Sequence, residues 1–167
     1  ALAAYDLLSQ AAKTELLSEK TILDDVLIKI NELEATASVV IAEGSILQAD
    51  IDAALVFVSA LSNGAVKTDL QNRLFIVQVS LNSQKAALVD ALITALPNTG
   101  EVALTDQSQI EAARTAYDAL TIEQKALVAN ENILIAREAE LAALQIATTS
   151  VVVAESSNLQ ADVNSAQ

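Results

Sequence analysis

Carboxylate, hydroxyl, amide and amine groups are the side-chain chemistry that this 167-residue sequence offers. It has 22 acidic and 9 basic residues, and it lacks His, Cys, Met and Trp. Without His or Cys there is no imidazole or thiol nucleophile, and the usual zinc, copper, haem and iron–sulfur ligand sets cannot be assembled. We therefore predict no catalytic, cofactor-binding or metal-ligating residues, no cofactor, and a protein that is not an enzyme.

Closely spaced carboxylates are the remaining candidates for a catalytic or metal site. The pairs are Asp24 with Asp25, Asp50 with Asp52, and Glu138 with Glu140. Helical residues one or two positions apart do not share a face, so these pairs do not predict a general acid and base or a metal cage. The oxygen-ligand spacing of an EF-hand loop is also missing. We interpret the carboxylates as a solvated acidic surface.

The segment Leu96-Pro-Asn-Thr-Gly100 matches the pentapeptide that sortases cleave and anchor. A working signal is followed by an apolar span and a basic tail, whereas here Glu101-Val-Ala-Leu-Thr-Asp106 opens a new helix. Pro and Gly at this spacing are sufficient to end one helix and begin another. We predict a helix-stopping turn rather than a sortase substrate.

The charge balance disfavours nucleic acids and membranes as partners. The net charge is −13, which repels phosphate backbones and anionic lipid surfaces. The aromatic residues are Tyr5, Phe57, Phe75 and Tyr117. They offer little area for base stacking, and the most apolar windows, 53–61 and 74–81, are far shorter than the roughly 20 residues of a membrane span. We predict no nucleic-acid binding and no membrane insertion.

The composition favours an all-α fold. Three Gly and one Pro are too few to punctuate a β-rich chain, and the 53% hydrophobic content is dominated by Ala and aliphatic residues. Helices with this much Leu, Ile and Val are not stable alone in water, so each must bury an apolar face against a neighbour. We predict elongated tandem helical bundles that share long continuous helices.

An internal repeat organises the sequence. Residues 147–163 match residues 35–51 at 12 of 17 positions, an offset of 112. Ala4-Tyr-Asp6 matches Ala116-Tyr-Asp118 at the same offset. Between these anchors a one-residue slip fits better, and it pairs Leu16, Ile22, Leu23, Ile30 and Leu33 with Leu127, Ile133, Leu134, Leu141 and Leu144. Fixed-period self-similarity of this length is typical of repeat architectures.

The repeat period divides the chain into four predicted segments. These are residues 1–34 as the C-terminal part of a helical module, 35–82 as helical module A, 83–146 as three-helix module B, and 147–167 as the start of a second module A. Such framing is typical of a piece of a longer tandem array. Alternatively, a neighbouring chain could complete the partial modules head to tail.

Apolar periodicity predicts a helix that begins at Leu47 and ends at Asn63-Gly64, where a residue in the left-handed conformation would stop it. The same periodicity over residues 66–95 predicts either one long helix or two helices in near-line. A short helix over about 106–119 should carry Ile110, Ala113 and Tyr117 inward. Its cap would be Thr105 or Asp106.

Three segments have the form of a capping box: Ser45-Ile-Leu-Gln48, Thr121-Ile-Glu-Gln124 and Ser157-Asn-Leu-Gln160. Gly and Pro are absent beyond Thr121. We therefore predict that the helix from about residue 122 continues uninterrupted toward Gln167.

Two blocks resemble known modules. Residues 87–97, Leu104-Thr-Asp106 and 110–128 resemble helical repeats of long surface proteins of Gram-positive bacteria. A second helical module of such proteins, one that has been compared with a C-terminal helical domain of insecticidal crystal toxins, is similar to Ala42-Glu43, residues 47–54, Val58-Ser-Ala-Leu61 and residues 67–74. The resemblance implies an extracellular location on the bacterial cell surface and a stalk or spacer without an active site.

The sequence therefore favours a non-catalytic structural segment, either a stalk that spaces a functional head from the bacterial surface or a fibre. Its partners would be neighbouring repeats of the same chain, with possible head-to-tail self-association. The alternative is a helical binding module, an adhesin that captures a host or partner protein. Exposure of Phe57 or Phe75 would favour that alternative, because aromatic side chains are enriched in binding hot spots.

Overall fold

The computed structural model describes residues 2–157 and 164–165, and the fold is all-helical. The elements are α1 (Leu2–Asp6), α2 (Gln10–Glu15), α3 (Leu17–Ser45), α4 (Gln48–Ala60), α5 (Ala65–Thr94), a 3-10 turn (Leu104–Asp106), α6 (Gln107–Asp118), α7 (Ile122–Lys125) and α8 (Glu131–Ser157). Strands are absent from the part of the chain that the structure describes. The predicted all-α class is confirmed.

The chain divides into two compact units, Ala1–Leu81 and Asn82–Gln167. The first has a core of small and aliphatic side chains from the second half of α3, from α4 and from the first half of α5. Its members are Ala35, Val39, Ala42, Ile51, Ala54, Val58, Leu61, Leu70, Leu74, Val77 and Leu81. Small residues on α3 and α4 permit close helix approach, and the larger aliphatic groups of α5 fill the remaining space.

The second unit has a core from the last turns of α5, from α6 and from α8, together with the loop that follows α5. Its members are Val89, Ile93, Leu96, Val102, Ile110, Ala113, Tyr117, Leu134 and Leu141. The prediction that α6 turns Ile110, Ala113 and Tyr117 inward is confirmed. The stretch predicted as one helix or two is the single helix α5, and Gly100 adopts a positive φ of 81° in the loop that follows it.

The turn between α3 and α4 differs from its prediction, and the capping box at Ser45–Gln48 is wrong. Ser45 is the last residue of α3, and the aliphatic Leu47 is the N-cap of α4. Ile46 reverses the chain in the left-handed region, with φ 51° and ψ 39°. That conformation costs about 1–2 kcal/mol, and packing of the Ile46 side chain against the first core offsets this cost.

The predicted stop of α4 at Asn63-Gly64 is also wrong. The helix ends at Ala60, and the buried Leu61 is extended with ψ 148°. The Lys67 ammonium donates to the carbonyl oxygens of Ser59 and Leu61 at 2.9 and 2.8 Å. Burial of Leu61 and this cap from α5 end the helix earlier than a glycine would.

The helix predicted to run unbroken from about residue 122 is interrupted. The capping box at Thr121–Gln124 is confirmed, because each side chain accepts from the backbone N–H of the other residue. However, α7 ends at Lys125 and α8 begins at Glu131. The Asp90 carboxylate of α5 accepts from the N–H groups of Ala129 and Asn130 at 3.1 and 2.9 Å, which caps the start of α8. The third predicted box, at Ser157–Gln160, lies partly outside the described residues.

Candidate docking surface

One face of α3 differs sharply from the matched face of α8. Leu134 and Leu141 on α8 are 0% and 6% exposed, and Arg137 between them is also buried. Their sequence-matched positions on α3 are Leu23, Val26 and Ile30, which we call the open face. Leu23 is 41% exposed and Ile30 44%, and Val26 is half exposed. The same sequence pattern therefore carries a core in the second unit and a solvent-facing apolar stripe in the first.

The local structure that leads into each helix is similar but not identical, since each helix follows a short helix that a hydroxyl side chain caps. Ser9 caps α2 by accepting from the N–H of Ala12, and Thr121 caps α7 in the same way. Tyr5 donates from its hydroxyl to the Lys13 carbonyl oxygen at 2.9 Å. Tyr117, its match, is buried in the second core. Besides these local features, the two faces differ in what covers the helix.

In the second unit, α5 and α6 cover the apolar face of α8. Val89 and Ile93 of α5 and Ile110 of α6 share one buried cluster with Leu134 and Leu141. Glu131, at the start of α8, interacts with the Tyr117 phenol and raises its pKa above the ordinary value. Burial acts in the same direction. Helices α5, α6 and α8 thus share one buried cluster, whereas residues 3–34 contribute no buried side chain to either core.

A polar network secures the α8 face as well. Arg114 of α6 makes a bidentate ion pair with Glu138, with both N–O distances at 2.6 Å. This pairing raises the pKa of Arg114 above its ordinary value. The buried Arg137 donates to Thr99 at 2.7 Å and to Glu140. On α3 the positions matched to Arg137 and Glu138 carry Val26 and Leu27, so the open face is more apolar than its counterpart.

The sortase-like pentapeptide is part of this network. Leu96 is buried, the Thr99 hydroxyl accepts from Arg137, and the Gly100 N–H donates to Glu140 at 3.1 Å. These contacts hold the segment against α8 as the turn that follows α5. The positive φ of Gly100 places its N–H toward the carboxylate at no steric cost.

The carboxylate pairs are not brought together into a shared site. Asp24 pairs with Lys20, and Asp52 accepts from Gln48. Glu138 and Glu140 bind separate arginines. Within residues 2–157 and 164–165, no cluster of three or more acidic side chains could hold a metal ion.

Both phenylalanines lie on the surface of the first unit. Phe75 of α5 is 69% exposed and Phe57 of α4 is 44% exposed. Ile76, next to Phe75, is similarly exposed. Exposure of either phenylalanine is the feature that was expected to favour a binding module.

The open face, Arg137 and Asp90 were not predicted from the sequence. The repeat alignment contained the signal for the open face, since it paired Leu23 and Ile30 with Leu134 and Leu141.

A scan against protein-family models, a search of curated proteins and a search of solved structures each found no match to this chain. Of the helices in the described residues, none has the length and apolar character needed to cross a membrane.

Proposed function

We propose that this chain is a non-catalytic structural segment of a bacterial surface protein. It acts as an extracellular stalk or spacer, or as a fibre-forming segment, built from elongated tandem helical repeats. The family resemblance of its repeat blocks to surface-protein modules motivates the location. The arrangement of its long helices supports the mechanical role.

The supporting observation is that boundaries between predicted modules fall inside long helices. The predicted boundaries after residues 34 and 146 fall inside α3 and α8 respectively. A helix that belongs to two modules resists bending at their junction, whereas a Gly- or Ser-rich linker would not. Helices of 27 to 30 residues also rise about 40–45 Å at 1.5 Å per residue. These properties suit a spacer.

The surface chemistry agrees with a passive role. A net charge of −13 keeps such a segment soluble and repels other anionic polymers. The exposed apolar residues on α3 and α8 would be covered when further repeats flank the segment.

Small-angle X-ray scattering behind size exclusion tests the proposal. A compact particle of this length would have a radius of gyration near 15 Å, whereas in-line helical modules would give roughly 25–30 Å. We expect the larger value. If it is independent of protein concentration, the chain is a monomeric stalk segment, and growth with concentration indicates a fibre. A value near that of a compact particle would overturn the proposal.

Exposure of Phe75 and Phe57 favours a second candidate, an adhesin-like binding module. Exposed aromatic side chains can anchor a protein–protein contact. Immobilised host serum proteins would be probed with the wild-type chain by biolayer interferometry. A hot spot at Phe75 predicts at least about tenfold weaker binding for Phe75→Ala. Ile122→Ala, at an exposed position of the second unit, should leave binding unchanged. Absence of binding by the wild type, or equal binding by both variants, would eliminate this candidate.

A further inference from the structure

We infer that the open face of α3 is a docking site for a helical segment with the apolar pattern of residues 82–112, supplied by a further repeat. This inference rests on the proposed repeat architecture and names the partner of one of its surfaces. The reason is that the molecule already contains the covered form of the same face. Leu134 and Leu141 are buried by Val89, Ile93 and Ile110, all of which belong to residues 82–112.

The register of the chain fits this occupant. Helix α6 runs from Gln107 to Asp118, and the five residues of α1 match its last five residues, 114–118. A segment like 82–112 placed ahead of Ala1 would therefore extend α1 into a full counterpart of α6. The second half of an α5 counterpart would precede it and reach the open face, as Val89 and Ile93 reach Leu134 in the second unit.

The open face lacks the polar groups that bind residues 99 and 100 to α8, so we expect an aliphatic contact. Val26 stands where α8 has Arg137, and Lys29 stands where it has Glu140. The bonds that Arg137 and Glu140 make to Thr99 and Gly100 therefore have no counterpart on α3. The occupant would be held by aliphatic packing against Leu23, Val26 and Ile30.

A second copy of this chain is a poorer occupant. Its own Val89, Ile93 and Ile110 are already buried in its second core. To offer them to another chain, it would have to expose Leu134 and Leu141. A further repeat would not have to expose a core of its own. Its segment matching residues 82–112 would pack against the open face as residues 82–112 pack against α8.

The test is an extended chain in which a copy of residues 82–112 is joined directly before Ala1. The matched control carries the same extension with Ile93→Asp and Ile110→Asp in the copied segment only. Hydrogen exchange measured by mass spectrometry would follow residues 20–33 in the extended, control and original chains. We expect exchange there to slow by about tenfold or more in the extended chain alone. Unchanged exchange at residues 131–144 would verify that the second unit stays folded in all three.

Point variants of the extended chain locate the contact. Leu23→Asp with Ile30→Asp should remove the added protection, whereas Ile28→Asp should keep it because its matched residue, Ala139, is exposed. Equal exchange in the extended and control chains would overturn the inference. Concentration-dependent protection of residues 20–33 in the original chain would also overturn it and assign the face to a second copy.

The two proposals fail separately. An elongated particle without added protection retains the stalk and rejects the docking site. A compact particle in which the extension protects residues 20–33 rejects the stalk and retains the docking site.

Discussion

Residues 20–33 of α3 and residues 131–144 of α8 carry matched apolar positions, yet they lie in opposite environments. Leu134 is fully buried, whereas its match Leu23 is substantially exposed. Both helices follow a short helix that is capped by a hydroxyl side chain. An apolar helical pattern therefore shows that one face of the helix is suited to packing against a partner. Whether that face is buried depends on whether neighbouring helices pack against it.

The largest expected difference comes from truncating the matched leucines. Leu134→Ala should lower the free energy of unfolding by about 2–5 kcal/mol, because it leaves a cavity in the second core. Leu23→Ala should cost less than about 1 kcal/mol, since the side chain is 41% exposed and its truncation leaves no enclosed cavity. Urea titrations followed by circular dichroism would measure both. Equal losses would mean that the open face is covered in solution, and the comparison would fail.

The second prediction concerns how the two helices begin. Asp90 caps α8 across the fold, whereas α3 begins after Leu16, whose side chain has no hydrogen-bonding group. Asp90→Ala should cost about 1–2 kcal/mol, because the N–H groups of Ala129 and Asn130 lose their charged acceptor. The control Asp25→Ala, at an exposed position on α3, should change stability by less than about 0.5 kcal/mol. If Asp90→Ala behaved like the control, the break before α8 would not depend on this cap.

The smallest effect concerns pH and the ion pair of the first unit. The Arg73 guanidinium donates to Glu43 at 2.8 Å through two N–H groups and lowers the pKa of that carboxyl. A lowered pKa means that the pair stabilises the fold above the carboxyl's unfolded pKa. This stabilisation is lost as pH falls through the lower, folded value. Because both side chains are about one-third exposed, the loss should stay below about 1 kcal/mol.

Glu43→Gln provides the measurement for this pair. The variant should flatten the fall in unfolding free energy between about pH 5 and pH 3 relative to wild type. An identical pH dependence in the two proteins would remove the Arg73–Glu43 pair as its cause.

Local signals predicted a good part of the fold. The helical class, the inward face of α6 and the Thr121 capping box depend on residues within about one or two turns of each other, and each is confirmed. The turn at Ile46, the early end of α4 and the break before α8 were missed. In each case the deciding group lies elsewhere: the first core, Lys67 or Asp90.

The candidate docking surface could be predicted only in part from the sequence. The repeat alignment paired Leu23 with Leu134, but it could not indicate that one is covered and the other open. That outcome depends on Val89, Ile93 and Ile110, which follow residue 23 by more than 60 positions and pack in the other unit. The role of Arg137 was not indicated by the sequence either, because its partner Thr99 lies 38 positions away and reaches it only on folding.

Each of the two units contains its own side-chain bonds between helices. Gln48 bonds Gln78 in the first unit, and Gln124 bonds Asn82 in the second. Compact units with their own hydrophobic cores generally fold as separate units. A unit that has been pulled open would therefore be able to recover its helices without waiting for the other.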